Sequence, residues 1–408
     1  MPTLIYDLPL SSLTSLLAEW GEPAYRARQI WQGLYRNLWD APDQFTNLPI
    51  SLRAKLAEHI QFDPLTPISY LASRDQQTIK TLFRLHDGLA VESVLMRYGD
   101  PASSGAQDGR EPASDGTQNG QKPASSEAQD GRKPASSGAQ NGRKPASSEA
   151  QRSRDAAQRG GKQGRRTLCV STQVGCAMGC VFCATGQMGF KRHLSSGEIV
   201  AQVIYYARLL REQGETVTNV VVMGMGEPFH NYDNTMAAID RLNDSNGYNF
   251  GARRFTISTV GLVPAIRRFA AEKRQVNLAI SLHAADDELR ASMLPIARKY
   301  PLDELFAACR DYATATGRRV TFEWALIRGV NDTPEQAHRL ANRLRGLLCH
   351  VNIIPLNPTQ GYPGQATTRA RAKKFKEILE QAGVVCTIRL RRGIEIRAGC
   401  GQLAGDFG

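Results

Sequence analysis

No apolar run in the 408 residues approaches the roughly 18 residues that a membrane helix needs, so a membrane span is not expected. The opening stretch MPTLIYDLPLSSLTSLLAEW lacks a basic start and carries Asp7 and Glu19 among its apolar residues, which argues against a secretory signal and for a cytoplasmic protein. Cysteine is scarce, with eight in the chain, too few for a disulfide scaffold of this length, so reduced thiols or metal ligands are expected. Acidic residues are outnumbered, 39 against 51 Lys and Arg, leaving a formal charge of +12. That excess points to a polyanionic partner, with nucleic acid first among the candidates. A solubility trait remains the plain alternative at a pI near 9.4.

The length suits two domains or one large domain with appendages. Residues 99 to 165 do not read as part of a packed core. From Pro101 the segment PASSGAQDGRE recurs with an 11-residue period, with prolines at Pro112, Pro123, Pro134 and Pro145. An 11-residue repeat can form a helical supercoil only if an apolar stripe repeats with it, and none does. Small and polar residues bury too little surface to offset ordering entropy, and a proline in each repeat breaks helices, so a disordered insertion is expected. Its eleven basic against eight acidic residues carry only +3, so the basic character belongs mainly to the foldable remainder.

Residues 1–65 read as a small N-terminal helical domain. GEPAYRARQIWQGLYRNLW and NLPISLRAKLAEHI space their apolar residues three and four apart, with helix starts marked by Gly21 to Pro23 and Asn47 to Pro49. Arg26, Arg28, Arg36 and Arg53 give it a basic surface that either meets RNA or is a solvated helix face. Over 66–98 the pattern turns to β. TIKTLFRL and LAVESVLMRY flank His86-Asp87-Gly88, a hairpin signal, and ordered sequence resumes at RRTLCVSTQ. The repeat tract is thus inserted between two strands.

Within 166–408, strand-like and helix-like stretches alternate six times. The strand candidates are 167–172, 218–225, 254–260, 276–282, 319–326 and 350–356, and the alternation predicts an α/β fold, a partial (β/α)6 barrel. Chemistry in that architecture gathers where the strands end. The first ends in Gly175-Cys176-Ala177-Met178-Gly179-Cys180-Val181-Phe182-Cys183. CxxxCxxC demands a soft metal. Spacing alone leaves two readings open: a structural zinc site with Cys169 or His193 as fourth ligand, or an iron–sulfur cluster on three thiolates with one iron free.

CxxxCxxC after a first barrel strand resembles the radical S-adenosylmethionine superfamily, in which three thiolates hold a [4Fe-4S] cluster whose unligated iron takes the amino and carboxyl groups of S-adenosylmethionine. Gly224-Met225-Gly226-Glu227-Pro228 resembles the GGEP-type motif that receives the cofactor's amino group. Outside the insertion, GEPAYRARQI, VESVLMRY, CVSTQVGCAMGCVFCATGQMGF, MGMGEP, ISTVG, AISLHA, IIPLNP and AGCGQLAG together resemble the 23S rRNA adenine-C2 methyltransferases of RlmN type.

The resemblance implies a radical SAM barrel with Cys176, Cys180 and Cys183 on the cluster. It implies cofactor contacts at Gly226, Glu227, Ser258, Ser281, Leu282, His283 and Asn357. It further implies that Cys400 is first methylated, that a 5′-deoxyadenosyl radical then takes hydrogen from its S-methyl group, and that the thiomethylene radical adds to adenine C2. C2 is electron-poor and its C–H is not acidic, so a radical route makes chemical sense. Release needs a proton acceptor, matched by Glu92, and a second thiol that attacks the Cys400 sulfur to leave a disulfide, matched by Cys169. Taken alone, Cys169 reads as a small buried hydrophobe, Glu92 as a strand carboxylate and His283 as a structural histidine. Cys309, Cys349 and Cys386 match no motif. The implied partners are 23S rRNA, transfer RNA and a low-potential, flavodoxin-like electron donor, with no membrane. The rival readings are a C8-methylating relative with nearly the same residues and a zinc-stabilised RNA-binding protein without catalysis.

Overall fold

Ten segments become the strands of the main sheet, and the five central parallel ones are near-continuous apolar runs with no exposed position, because they are covered on both faces. In the computed structural model, which describes residues 3–99 and 164–405, these are β1 (Thr66–Ala72), β2 (Thr78–Arg84), β3 (Ala90–Tyr98), β4 (Arg165–Cys169), β5 (Asn219–Val222), β6 (Phe255–Thr259), β7 (Asn277–Ser281), β8 (Val320–Leu326), β9 (Cys349–Pro355) and β10 (Cys386–Ile388). Their spatial order follows their sequence order. From β4 to β10 every pair is parallel, with helices in the connections, as the alternation predicted. Val220, Ile257, Leu278, Phe322, Trp324 and Val351 fill the core.

Two edges differ from expectation. The hairpin expected over 66–98 has a third strand, β1, antiparallel to β2, and the meander continues the barrel sheet through the antiparallel pairing of β3 with β4. Most of β1 is exposed, so it carries little of the apolar alternation that announces a strand. At the far edge β10 is only three residues long, with a buried Cys386 between exposed neighbours. The expected repeat disorder concerns residues that, from 100 to 163, lie outside the described residues; the ladder on either side ends at Tyr98 opposite Arg165.

The N-terminal segment forms helices Leu10–Glu19, Tyr25–Gln32 and Ile50–His59 around Trp31, Tyr35, Phe45 and Phe62. It packs on the helix Ser196–Glu212, which starts with a reciprocal cap: the Ser195 hydroxyl accepts from Glu198 N–H at 3.1 Å, and the Glu198 carboxylate accepts from Ser195 N–H at 2.9 Å. Asp7 accepts from the Ser196 hydroxyl (3.0 Å) and Gly197 N–H (2.6 Å). A Cβ on Gly197 would sit 2.7 Å from the Asp7 nitrogen, so only glycine allows this approach. Of the four arginines expected to form a basic surface, three make structural bonds: Arg26 to Asn47 O, Arg36 to Ser245 O and Arg53 to Asp43 O.

Candidate active site

The strand ends carry the candidate residues to one end of the sheet. Cys169 closes β4, Ser258 lies in β6, Ser281 closes β7 with Leu282 and His283 just beyond, and Asn357 follows β9. The Ser258 and Ser281 hydroxyls are 3.3 Å apart. His283 has a left-handed backbone, φ 61, an uncommon conformation for a residue with a side chain. Its Nδ1 accepts from Ala325 N–H at 2.9 Å, which leaves the proton on Nε2. Burial, with Arg290 beside it, pushes the imidazole down to about 3, so it is a neutral donor. Asn331, unremarkable in the sequence, fixes this corner by donating to His283 O and Ala325 O, each at 2.7 Å.

Beyond β5 the chain turns at Gly226, φ +100, where a Cβ would lie 2.5 Å from Gln173 Cβ. Gln173 Oε1 accepts from Glu227 N–H at 2.7 Å, and its amide nitrogen lies 3.0 Å from Nδ1 of both His193 and His230. The Glu227 carboxylate accepts from Val260 N–H and Phe229 N–H, each at 2.9 Å. Burial still pushes its acid up to about 7. An ammonium group placed beside it would draw it into the ionised form.

Cys176, Cys180 and Cys183 lie on a loop folded on itself, with Cys176 N–H donating to Gly189 O (2.9 Å) and Cys183 N–H to Cys180 O (3.1 Å). Phe182, Met178, Met293, Leu294 and Ile327 make an apolar wall around them, and the Phe182 ring meets His283 edge-on at 5.0 Å. Burial raises all three thiols, Cys176 to about 12, so they ionise only against a bound metal. Among the described residues no three His, Cys, Asp or Glu side chains gather closely enough for a single metal ion. The zinc reading also lacks its fourth ligand, since His193 pairs with Gln173 and the neighbour that acts on Cys169 is Cys400. Three thiols on an apolar loop, each free to take a different iron, fit a cluster instead. A buried guanidinium nitrogen of Arg290 has no hydrogen-bond partner, and its charge acts on Cys180. The Asn357 Oδ1 is likewise buried without a partner. Both groups, one acting on a loop cysteine and one bonded to the tail, are free to receive a ligand.

The C-terminal tail crosses this region. Cys400 O accepts from Asn357 Nδ2 at 3.1 Å, Gly401 O from Ala184 N–H at 2.7 Å, and Leu403 O from the Thr185 hydroxyl at 2.6 Å. Gln402 donates to Pro358 O at 2.9 Å. Ala404 and Gly405 donate their N–H groups to Glu92 Oε2 at 2.9 and 3.3 Å. As a residue Cys400 is exposed, yet its thiol is raised chiefly by burial, then by the Glu323 carboxylate, and it also feels Cys183. Cys169 is raised by burial and by Cys400. The tail therefore brings Cys400 within electrostatic reach of both a loop cysteine and Cys169; all are free thiols. Three groups that sequence reasoning passed over stand here: Lys80, which pairs with Glu92 at 2.6 Å; Gln173; and Glu323, bonded by Asn352 at 2.8 Å. Cys309, Cys349 and Cys386 are buried in the core, away from these contacts.

Comparison with known proteins gives the same outline. The radical SAM superfamily matches residues 170–341, and the ribosomal RNA large subunit methyltransferase N-terminal domain matches residues 4–62. The chain is 45% identical to "Probable dual-specificity RNA methyltransferase RlmN" of Chloroflexus aurantiacus, covering 98% of this chain and 92% of that protein. It is 43% identical to "Dual-specificity RNA methyltransferase RlmN 1" of Myxococcus xanthus, covering 98% and 93%. The crystal structure of a radical SAM methyltransferase from Sphaerobacter thermophilus superposes with a TM-score of 0.82 at 45% identity, covering 99% of this chain and 100% of that one.

Proposed function

The chain belongs to the RlmN family of dual-specificity RNA methyltransferases within the radical SAM superfamily, and from that premise we propose that it methylates C2 of an adenosine in the peptidyl-transferase region of 23S rRNA and C2 of an adenosine next to the tRNA anticodon. Cys176, Cys180 and Cys183 would hold a [4Fe-4S] cluster; Gly226, Glu227, Ser258, Ser281, Leu282, His283 and Asn357 would hold S-adenosylmethionine. Bound together, these cofactors supply a methyl group and a one-electron route to a carbon radical. Glu227 offers a carboxylate to an ammonium, His283 an Nε2–H, and Asn357 the carbonyl oxygen that lacks a partner.

Cys400 carries the one-carbon unit to the base, Glu92 takes the C2 proton, and Cys169 attacks the Cys400 sulfur so that the methylated RNA leaves and a disulfide remains. The observation that supports this most directly is the tail itself, tied to Asn357, Ala184, Thr185 and Glu92 so that the Cys400 thiol feels both Cys183 and Cys169. The reaction consumes low-potential electrons, so a flavodoxin-like donor completes the system, and the cytoplasm, where its RNA substrates lie, is its place of work.

The test is mass spectrometry of ribosomal and transfer RNA digests from cells with and without the protein. Methyl at C2 in both RNAs is the expected result. Methyl at C8 alone transfers the protein to the C8 reading. A purified, oxygen-protected protein with one zinc and no iron ends the catalytic reading altogether.

A further inference from the structure

Glu92 has three of its acceptor positions filled. A carboxylate offers about four lone-pair sites on two oxygens. The Ala404 and Gly405 N–H groups occupy Oε2, at 2.9 and 3.3 Å, and Lys80 Nζ lies 2.6 Å from Oε1. The one vacant site is therefore on the oxygen that Lys80 holds. The pair is placed by the ladder between β2 and β3: Lys80 faces Val94 and Leu82 faces Glu92, so Lys80 and Glu92 are diagonal neighbours on one face. Both side chains are almost fully buried, at 9% and 4% exposure.

Burying a lysine and a glutamate together is a poor way to stabilise two strands, since two apolar side chains would do so without desolvating charge. The remaining contacts of Glu92 are neutral: its N–H lies 3.4 Å from the Met225 sulfur, and its carbonyl accepts from the Ser171 hydroxyl at 2.6 Å. Lys80 thus supplies the positive charge paired with this carboxylate among the described residues. A base in so dry a place needs its reacting oxygen held in position before the substrate arrives, and a short charged contact holds it.

We propose that Lys80 is a positioning residue of the methyl transfer, pinning Oε1 of Glu92 so that the one vacant acceptor site of the carboxylate is turned to the incoming proton. This rests on the reading of Glu92 as the proton acceptor. In the step it serves, one proton passes from adenine C2 to Oε1, the C–H electron pair stays with the purine, Glu92 goes from charged to neutral, and Lys80 keeps its charge.

The experiment compares Lys80→Met, Lys80→Arg and Glu92→Gln as cluster-loaded enzymes acting on a 23S rRNA fragment. In Lys80→Met the Cys400 thiol still acquires its methyl group, read by intact-protein mass, while RNA methylation falls about 100-fold at neutral pH. The acid limb of its pH–rate profile moves to higher pH, and a covalent RNA–protein adduct accumulates. Lys80→Arg keeps the charge and restores most of the rate. Should Lys80→Met not retain its cluster, Lys80→Gln, which keeps a donor to Oε1 without charge, is read in the same way. An unchanged rate and profile in the neutral variant overturns the proposal, as does loss of Cys400 methylation in step with RNA methylation, the mark of a merely structural residue. If Glu92→Gln methylates RNA normally, the base assignment fails; if it is inactive while the neutral Lys80 variant is normal, only the role of Lys80 fails.

Discussion

Two groups of thiols meet at one end of the sheet, and they are assembled in opposite ways. Cys176, Cys180 and Cys183 come from one loop whose own backbone bonds shape it. Cys169 and Cys400 come from a barrel strand and from the C-terminal tail, which accepts hydrogen bonds from Asn357, Ala184 and Thr185, donates to Pro358 and Glu92, and buries Ala398 and Leu403 on either side of the thiol. Burial raises every one of these thiols, so neither group ionises spontaneously near neutral pH. The loop thiols ionise against a metal and then stay where they are. In the proposed exchange the pair changes bonding partners during turnover while the loop thiols keep theirs, and Cys400 is exposed for it although Ala398 and Leu403 on either side are buried.

The comparison breaks most visibly if a member of one group is removed without affecting the other. Cys180→Ser should eliminate iron from the anaerobically purified protein, and with it methylation of both Cys400 and RNA. Cys400→Ala should abolish RNA methylation equally while iron content and the brown absorbance stay at the parental level. Iron loss in Cys400→Ala would show that the two groups are one structural unit. Cys169→Ala tests the pair from inside: RNA should become trapped on Cys400, visible as a protein–RNA band on a denaturing gel that nuclease removes, and turnover should fall to about one event per chain. Free methylated RNA released at the parental rate would take Cys169 out of the exchange.

The same contrast explains what could be read from the sequence. The cysteine loop and the six parallel strands were legible because their signals are local: a spacing of three and two residues between thiols, and apolar runs alternating with helix-like stretches. Lys80 was not legible. It is a lone charge in TIKTLFRL, and it acquires meaning only from Glu92 across the ladder. Gln173 similarly looks like a polar residue between the strand and the cysteines, yet it touches Glu227, His193 and His230. Asn331 and Glu323 act through β7 and through the tail, neighbours that no spacing rule connects. The strand β1 escaped notice because an exposed edge leaves little apolar period. Cys169 and Glu92 were reached through whole-chain resemblance, since each alone reads as a core or strand residue, whereas Cys400, a thiol bracketed by Gly399 and Gly401, already packs poorly as core.

A smaller effect separates the rigid side of the site further. His283 is neutral in the fold, with its ordinary value of 6.5 pushed down to about 3 by burial. In the unfolded chain it takes a proton near 6.5, so the stability it contributes is present above that value and is lost as pH falls toward 3. Between those limits the loss runs at roughly 1.4 kcal/mol per pH unit at most. Urea unfolding of the parent and of His283→Gln at pH 7 and pH 5.5 should therefore show a shallower acid decline in the variant. Parallel declines would mean that the imidazole is solvated in the fold.

The least effect is expected where the sequence is most unusual. β3 and β4 run antiparallel with Tyr98 opposite Arg165 and Arg97 opposite Arg166, so the two ends of the insertion are already adjacent. Glu215 locks that end of the ladder, accepting from Arg166 at 2.8 and 2.7 Å and from Arg97 at 3.5 Å, and Arg166 holds its acid below the usual range. The Arg165 guanidinium also lies over the Tyr98 ring at 4.2 Å. A short glycine-containing turn in place of residues 100–163 can close such a pair, and connection length changes stability slowly, by about 0.6 kcal/mol per doubling. The shortened chain should bind iron and methylate its rRNA fragment within about twofold of the parent. A fall in RNA methylation with iron and Cys400 methylation intact would show instead that the tract grips RNA. The ten Lys and Arg of residues 100–163 would then act at the substrate, and their contribution should weaken steeply as salt is raised.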